Sequence, residues 1–279
     1  MNLSFSSNAF RFHTLPETFG ILAGLGYRGV EIMADIPHAY PSDLTAAQID
    51  SIRAGLERHH LRAVNVNAFT MHAEGDTWNP SWIDPDPDLR QRRIDHTRRC
   101  IDLAARLGAP CLSTEPGGPL PPGMSREGGL RLFREGLEQV APAARETGVR
   151  VLIEPEPGLL IETSEEFADF YDGLDPDLFG LNFDIGHFFC VGEDPAELIG
   201  RYAPLIGHVH LEDIGADRRH LHLVPGEGVI DFAAIVAALR QIDYRGYLTV
   251  ELYTCAERPA EAAERSLRHL RRVLAQGTA

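Results

Sequence analysis

Lysine is missing from this sequence: all 26 basic residues are arginines. An enzyme that forms a Schiff base through a lysine amine is therefore excluded. Any carbonyl that the protein activates must be polarised by a metal ion or by hydrogen bonds. Cysteine is scarce as well. Cys100, Cys111, Cys190 and Cys255 lie far apart with no C-x-x-C spacing, so neither a zinc knuckle nor a disulfide framework is indicated. Reduced, partly buried thiols are the expectation. No apolar run approaches the roughly 20 residues that a membrane span needs. The start, MNLSFSSNAFRF, has no charged segment followed by an apolar core, so no signal peptide and a cytoplasmic location are expected. Positive charge is outnumbered, with 41 acidic residues and a formal net charge of −15. Such a chain suits neither nucleic acid nor an anionic membrane as a partner.

What is present is alternation. Eight β-rich runs occur, at Leu3–Ser6, Gly29–Met33, Ala63–Ala68, Pro110–Thr114, Val151–Glu154, Gly180–Asp184, Gly207–Leu211 and Leu248–Leu252. Helical periodicity fills the spaces between them, as in Phe232, Ile235, Leu239 and Ile242. Thr163-Ser-Glu-Glu and Ser125-Arg-Glu resemble helix starts. Gly108 and Gly148 sit where helices should stop. Eight strands, each followed by a helix, predict a closed (β/α)8 barrel forming a single domain over residues 1–279. The rival, an open doubly wound sheet, would want a glycine-rich phosphate turn after its first strand, and SSNAFRF contains no glycine. Helix-to-strand turns are short. Strand-to-helix loops are long, notably Phe69 to Pro87 with Trp78 and Trp82. Barrel sites lie on that side.

Each run has one apolar and one polar face. The polar set is Ser4 and Ser6, Glu31, Asn65 and Asn67, Ser113 and Glu115, Glu154 and Glu156, Asn182 and Asp184, His208 and His210, and Thr249 and Glu251. In a barrel this face points into the lumen, where unpaired polar groups would each cost several kcal/mol. A divalent cation at the strand tips would neutralise Glu154, Asp184, His210 and Glu251. That mixed oxygen and nitrogen set suits Mn²⁺ foremost, or Co²⁺, Mg²⁺ or Zn²⁺.

Asp184-x-x-His187, His208-x-His210 followed by Pro225-Gly-Glu-Gly228, and Val250-Glu251 give the whole chain a resemblance to the xylose-isomerase-like barrel superfamily. That group includes tagatose 3-epimerase-type enzymes, hydroxypyruvate isomerase, inosose dehydratase and endonuclease IV. The resemblance implies one metal on Glu154, Asp184, His210 and Glu251. It also implies that Glu154 and Glu251 form an acid/base pair and that His187 contacts the substrate. The sequence departs from the epimerases at His222, where they carry an arginine. His220-Leu-His222 replaces the Asp-x-His of the DNA-repair relatives. His187, His222, Glu156 and His72 are the candidate substrate contacts, with His187 and His222 left open also as a second metal site, as neutral hydrogen-bonding groups, or as ordinary loop histidines. Glu156 contacts substrate or orients its neighbours. His72, Trp78 and Trp82 form a lid or a stacking wall, or simply pack. His208 supports His210 or packs in the core. Glu31 and Glu115 have no assigned partner, and Arg218 and Arg219 bind a phosphate or stay solvated.

The function this implies is proton transfer through an enediolate by a metal-dependent isomerase or epimerase of a ketose or polyol-derived substrate. A lyase on the same site, a dehydratase or a deglycosylating enzyme, is the alternative. An endonuclease is remote for want of a basic face. The expected partner is a small sugar-like molecule, with a homo-oligomer also open.

Overall fold

The eight β-rich runs pair side by side into one closed sheet. The structure is a computed structural model and describes residues 1–276. Its strands are β1 (Asn2–Ser6), β2 (Gly29–Met33), β3 (Arg62–Asn67), β4 (Cys111–Thr114), β5 (Arg150–Ile153), β6 (Phe179–Asp184), β7 (Ile206–Leu211) and β8 (Tyr247–Val250). All pair in parallel, in chain order, and β8 closes onto β1 through Asn2 to Phe5. This is the (β/α)8 barrel expected from the alternation.

The helices between the strands are α1 (Leu15–Leu25), α2 (Ala46–Arg58), α3 (Pro87–Leu107), α4 (Arg126–Thr147), α5 (Ser164–Tyr171), α6 (Ile185–Cys190), α7 (Pro195–Tyr202), α8 (Phe232–Gln241) and α9 (Pro259–Ala275). Their ends follow local chemistry. Ser125 and Thr163 cap α4 and α5, and Glu166 completes a capping box at the latter. Gly108 and Gly148 end α3 and α4 in the left-handed conformation, with φ of 74° at each. Ile242 falls just outside α8, as its cap. The extra helix α6 was not anticipated. It starts directly from Asp184, whose side chain accepts from the His187 N–H and so turns the chain at the strand tip.

Alternation then sorts the side chains. Val30, Ile32, Val66, Val151, Ile153, Val209 and Val250 are buried in the core cluster. The polar set is buried too, Ser4, Glu31, Asn65, Ser113, Asn182 and Thr249 completely so. Low in the lumen, a Cβ on Gly180 or Gly207 would come within 3 Å of Leu152. That leucine plugs the floor. Above it, His208 Nε2 lies 2.8 Å from the Thr249 hydroxyl, which is 2.5 Å from that of Ser4. His208 therefore belongs to a satisfied polar layer below the strand tips. No helix among the described residues is long and apolar enough to cross a membrane.

Candidate metal centre

Four consecutive strand ends converge. Glu154 stands one residue past β5, its N–H held by the Thr114 carbonyl at 3.1 Å. Asp184 is the last residue of β6, and His210 lies inside β7. Glu251 stands one residue past β8, its N–H held by the Leu211 carbonyl at 3.1 Å. Ligand atoms of these four residues lie within 4.8 Å of one another, and all four side chains are buried.

His210 organises the cluster. Its Nδ1 is 2.8 Å from Glu154 Oε1, 3.7 Å from Asp184 Oδ2 and 3.8 Å from Glu251 Oε2. Its Nε2 is 2.7 Å from Glu31 Oε2. Glu31 also accepts from the Asn65 and Asn67 amides at 2.8 and 3.1 Å. A ring N–H given to Glu31 aims Nδ1 at the cluster, which is how metal-binding imidazoles are oriented. Glu31, left without a partner by sequence reasoning, is thus the residue that fixes His210. The available signal was a carboxylate of lumen parity, which must find a donor once buried.

The charges respond to this crowding. Burial drives the Glu251 carboxyl well above its usual range; His210 opposes this, while Glu154, Glu31 and Asp184 add to it. Burial pushes Glu31 upward, but the neighbouring His210, with His208 and Asn65, more than offsets it and holds the carboxyl well below. For His210, burial favours the neutral ring, yet Glu31, Glu154 and Glu251 hold it well above the ordinary histidine range. The cluster therefore attracts positive charge. Glu154 Oε2 and Asp184 Oδ2 are buried without any hydrogen-bond partner. Such oxygens are costly to leave bare, and with the donor set they fit a divalent cation held by Glu154, Asp184, His210 and Glu251.

A cavity of about 420 Å³ opens over the cluster. Of the proposed substrate contacts, Glu156, His187 and His72 line it and His222 does not. His187 Nδ1 donates to the Pro155 carbonyl at 2.9 Å, leaving Nε2 buried and unpartnered, 3.8 Å from Glu156 Oε2. His222 is tied by Nδ1 to the Glu251 carbonyl at 3.0 Å, and its Nε2 meets His220 Nε2 at 3.1 Å. From this loop it is His220 that reaches the cavity. The His187, His220 and His222 ring nitrogens lie within 4.8 Å of one another. Burial first, then the neighbouring imidazoles, lowers His220 to about 3. Burial likewise lowers His222 to about 4 against the pull of Asp184. Asp213 pins this loop, accepting from the Gly226 and Ile230 N–H groups at 2.8 and 3.0 Å.

The tryptophans divide. Trp78 lines the cavity. Trp82 is buried against Phe133 and donates to the Thr114 hydroxyl, so it packs. Arg218 lies over the Phe189 ring and donates to that residue's carbonyl, while Arg219 is exposed. Glu115 pairs with buried Arg93. Sequence reasoning missed Asn8, whose amide donates to Glu251 Oε1 at 2.9 Å, and Tyr253 on the cavity wall. It also missed Glu212, which accepts from the Gly186 N–H at 2.5 Å. A Cβ at Gly186 would strike that carboxylate, so a glycine inside Asp184-x-x-His187 was the signal.

The family model described as xylose isomerase-like TIM barrel matches residues 19–273. Inosose dehydratase of Geobacillus kaustophilus is 34% identical over 161 residues, covering 49% of this chain and 52% of that protein. The chain thus spans about half the length of the curated relatives it matches. Among solved structures, a D-tagatose 3-epimerase-like protein superposes with a TM-score of 0.82 at 21% identity, covering 100% of both chains. An IolI protein with a bound zinc atom gives 0.81 at 19% identity over 99% of both. At these identities the structural likeness establishes the fold.

Proposed function

The chain belongs to the xylose isomerase-like TIM barrel family, and we propose that within it this protein is a divalent-metal-dependent lyase. It removes a proton beside the carbonyl of a polyol-derived keto-sugar and expels water from the next carbon. The carrying observation is that its two candidate acid/base carboxylates are unequal. Both border the cavity, and Glu154 Oε2 has no hydrogen-bond partner. Glu251 Oε1 already accepts from two amides, Asn8 at 2.9 Å and Asn67 at 3.0 Å. The two amides hold Glu251 in one orientation, which suits a metal ligand more than a group that must move a proton.

Epimerisation needs two acid/base groups on opposite faces of the reacting carbon. Elimination needs one base and an outlet for the leaving group. A cation bound at the cluster would act as a Lewis acid on the carbonyl and acidify the adjacent C–H. Glu154 takes that proton as the C–H bond breaks and a C=C bond forms. The C–O bond breaks at the neighbouring carbon, and the hydroxide leaves as water with a proton from Glu156, whose carboxyl is driven well above its usual range by burial and by the neighbouring carboxylates. The partial match to inosose dehydratases supports this reading. The epimerase reading is the second, favoured by the full-length likeness to a tagatose 3-epimerase-like fold. In it Glu251 would return the proton.

Incubation of the metal-loaded protein with a panel of inososes and ketohexoses in D₂O separates the two. Loss of one water to give an unsaturated product is expected. An isomer carrying deuterium beside the carbonyl, with no dehydrated product, would overturn the lyase assignment.

A further inference from the structure

We propose that one wall of the cavity is a second subsite, built for a flat apolar substituent, so that the site takes a sugar carrying an aryl-like group as well as a bare ring. The inference rests on the metal-site reading above, which places the sugar's carbonyl at the floor. That floor is polar and borne by strand ends: Asn67, Glu154, Glu156 and Glu251 line it. The wall has different chemistry and comes mostly from loops. Met33, Phe69, Trp78 and Tyr253 line it, with Arg11 and His72 beside them. Phe69 and Trp78 meet edge to face, with centroids 5.9 Å apart and planes at 69°. Phe69 is buried and backs the half-buried Trp78, whose ring suits stacking by a planar group.

Size points the same way. A cavity of about 420 Å³ has room for roughly 14 waters at ~30 Å³ each. A six-carbon sugar, whose covalently joined atoms pack more tightly than water, fills only part of it.

The aromatic wall is also held in place before any ligand arrives. Arg93 on α3 is completely buried, and its guanidinium donates to both feet of the loop. It reaches the Ala68 and Phe69 carbonyls at 3.0 Å each and the Pro80 carbonyl at 2.8 Å. Glu115, 3.7 Å away, balances its charge. Asp35 grips the middle, accepting from the Thr70 hydroxyl and from the His72 and Ala73 N–H groups. Asp76 accepts from the Trp78 and Asn79 N–H groups at 2.8 Å each. A preformed wall spares a ligand the cost of ordering a loop.

Calorimetric titration of the metal-loaded protein with phenyl and methyl β-D-glucopyranosides, as non-reacting probes, tests this. The phenyl glycoside is expected to bind roughly tenfold more tightly, the effect of one aromatic stacking contact. Trp78→Ala should erase the preference, leaving methyl glycoside binding within about twofold. Trp78→Phe should largely keep it. Equal binding of the two probes, or binding of neither, overturns the subsite. So does a Trp78→Ala variant that weakens both alike, since the wall would then hold the sugar itself. Glu154→Gln should keep the preference. A protein that shows the preference but turns over no keto-sugar supports the subsite and counts against the lyase reading alone.

Discussion

Replacing Glu154 with glutamine is expected to lower turnover by about 10²–10⁴-fold, the usual contribution of a positioned general base. The substitution is nearly isosteric, and the residue's backbone stays pinned to Thr114, so the fold should survive. Circular dichroism and a melting curve check that. The matched variant Glu251→Gln should lose less in the chemical step, because Glu251 Oε1 is already occupied by Asn8 and Asn67. Its loss should appear in metal affinity instead. The contrast is measured as kcat at saturating metal. Equal losses of kcat in the two variants would restore a symmetric acid/base pair and with it the epimerase reading. Full activity in Glu154→Gln would remove the base altogether.

Stripping the metal with a chelator should also destabilise the barrel. Buried carboxylates crowd one end of the lumen, with bare oxygens on Glu154 and Asp184. A ligand that binds only the folded state stabilises it by about 2.7 kcal/mol at a hundredfold excess over its Kd. For a domain of this size that is roughly 5 °C or more in Tm. The penalty is softened because Glu251, Glu156 and Glu212 are driven upward, chiefly by burial, and so take up protons when the cation leaves. Conversely, binding a cation must displace the proton that His210 carries, so affinity should fall as pH falls. Differential scanning calorimetry with and without chelator checks the effect. A Tm unchanged by metal would mean that the cluster is satisfied without a cation.

The barrel was legible because period-two alternation survives in every strand. Parity alone put Glu31, Asn65, Asn182, Asp184, His208 and His210 on one face, and all are buried. Parity also carried Glu154 and Glu251 into one buried cluster, although both lie one residue beyond their strands. What parity could not show is pairing across strands. That Glu31 on β2 meets His210 on β7, or that Asn8 reaches Glu251, depends on the closure of the sheet and not on any one segment. Loops have no period at all. Hence His222 rather than His220 was expected at the cavity, and Trp82 was grouped with Trp78, when one tryptophan packs inward and the other faces the ligand space. The short helix α6 escaped notice because six residues are too few for a helical repeat to show.

The most direct test of the metal centre is elemental analysis of the purified protein beside its Asp184→Asn and His210→Ala variants. About one divalent ion per chain is expected in the parent, falling to a small fraction in both variants while the barrel's circular dichroism is kept. A parent protein that is metal-free yet fully active, or variants that retain their ion in full, would contradict the assignment of Glu154, Asp184, His210 and Glu251 as its ligands.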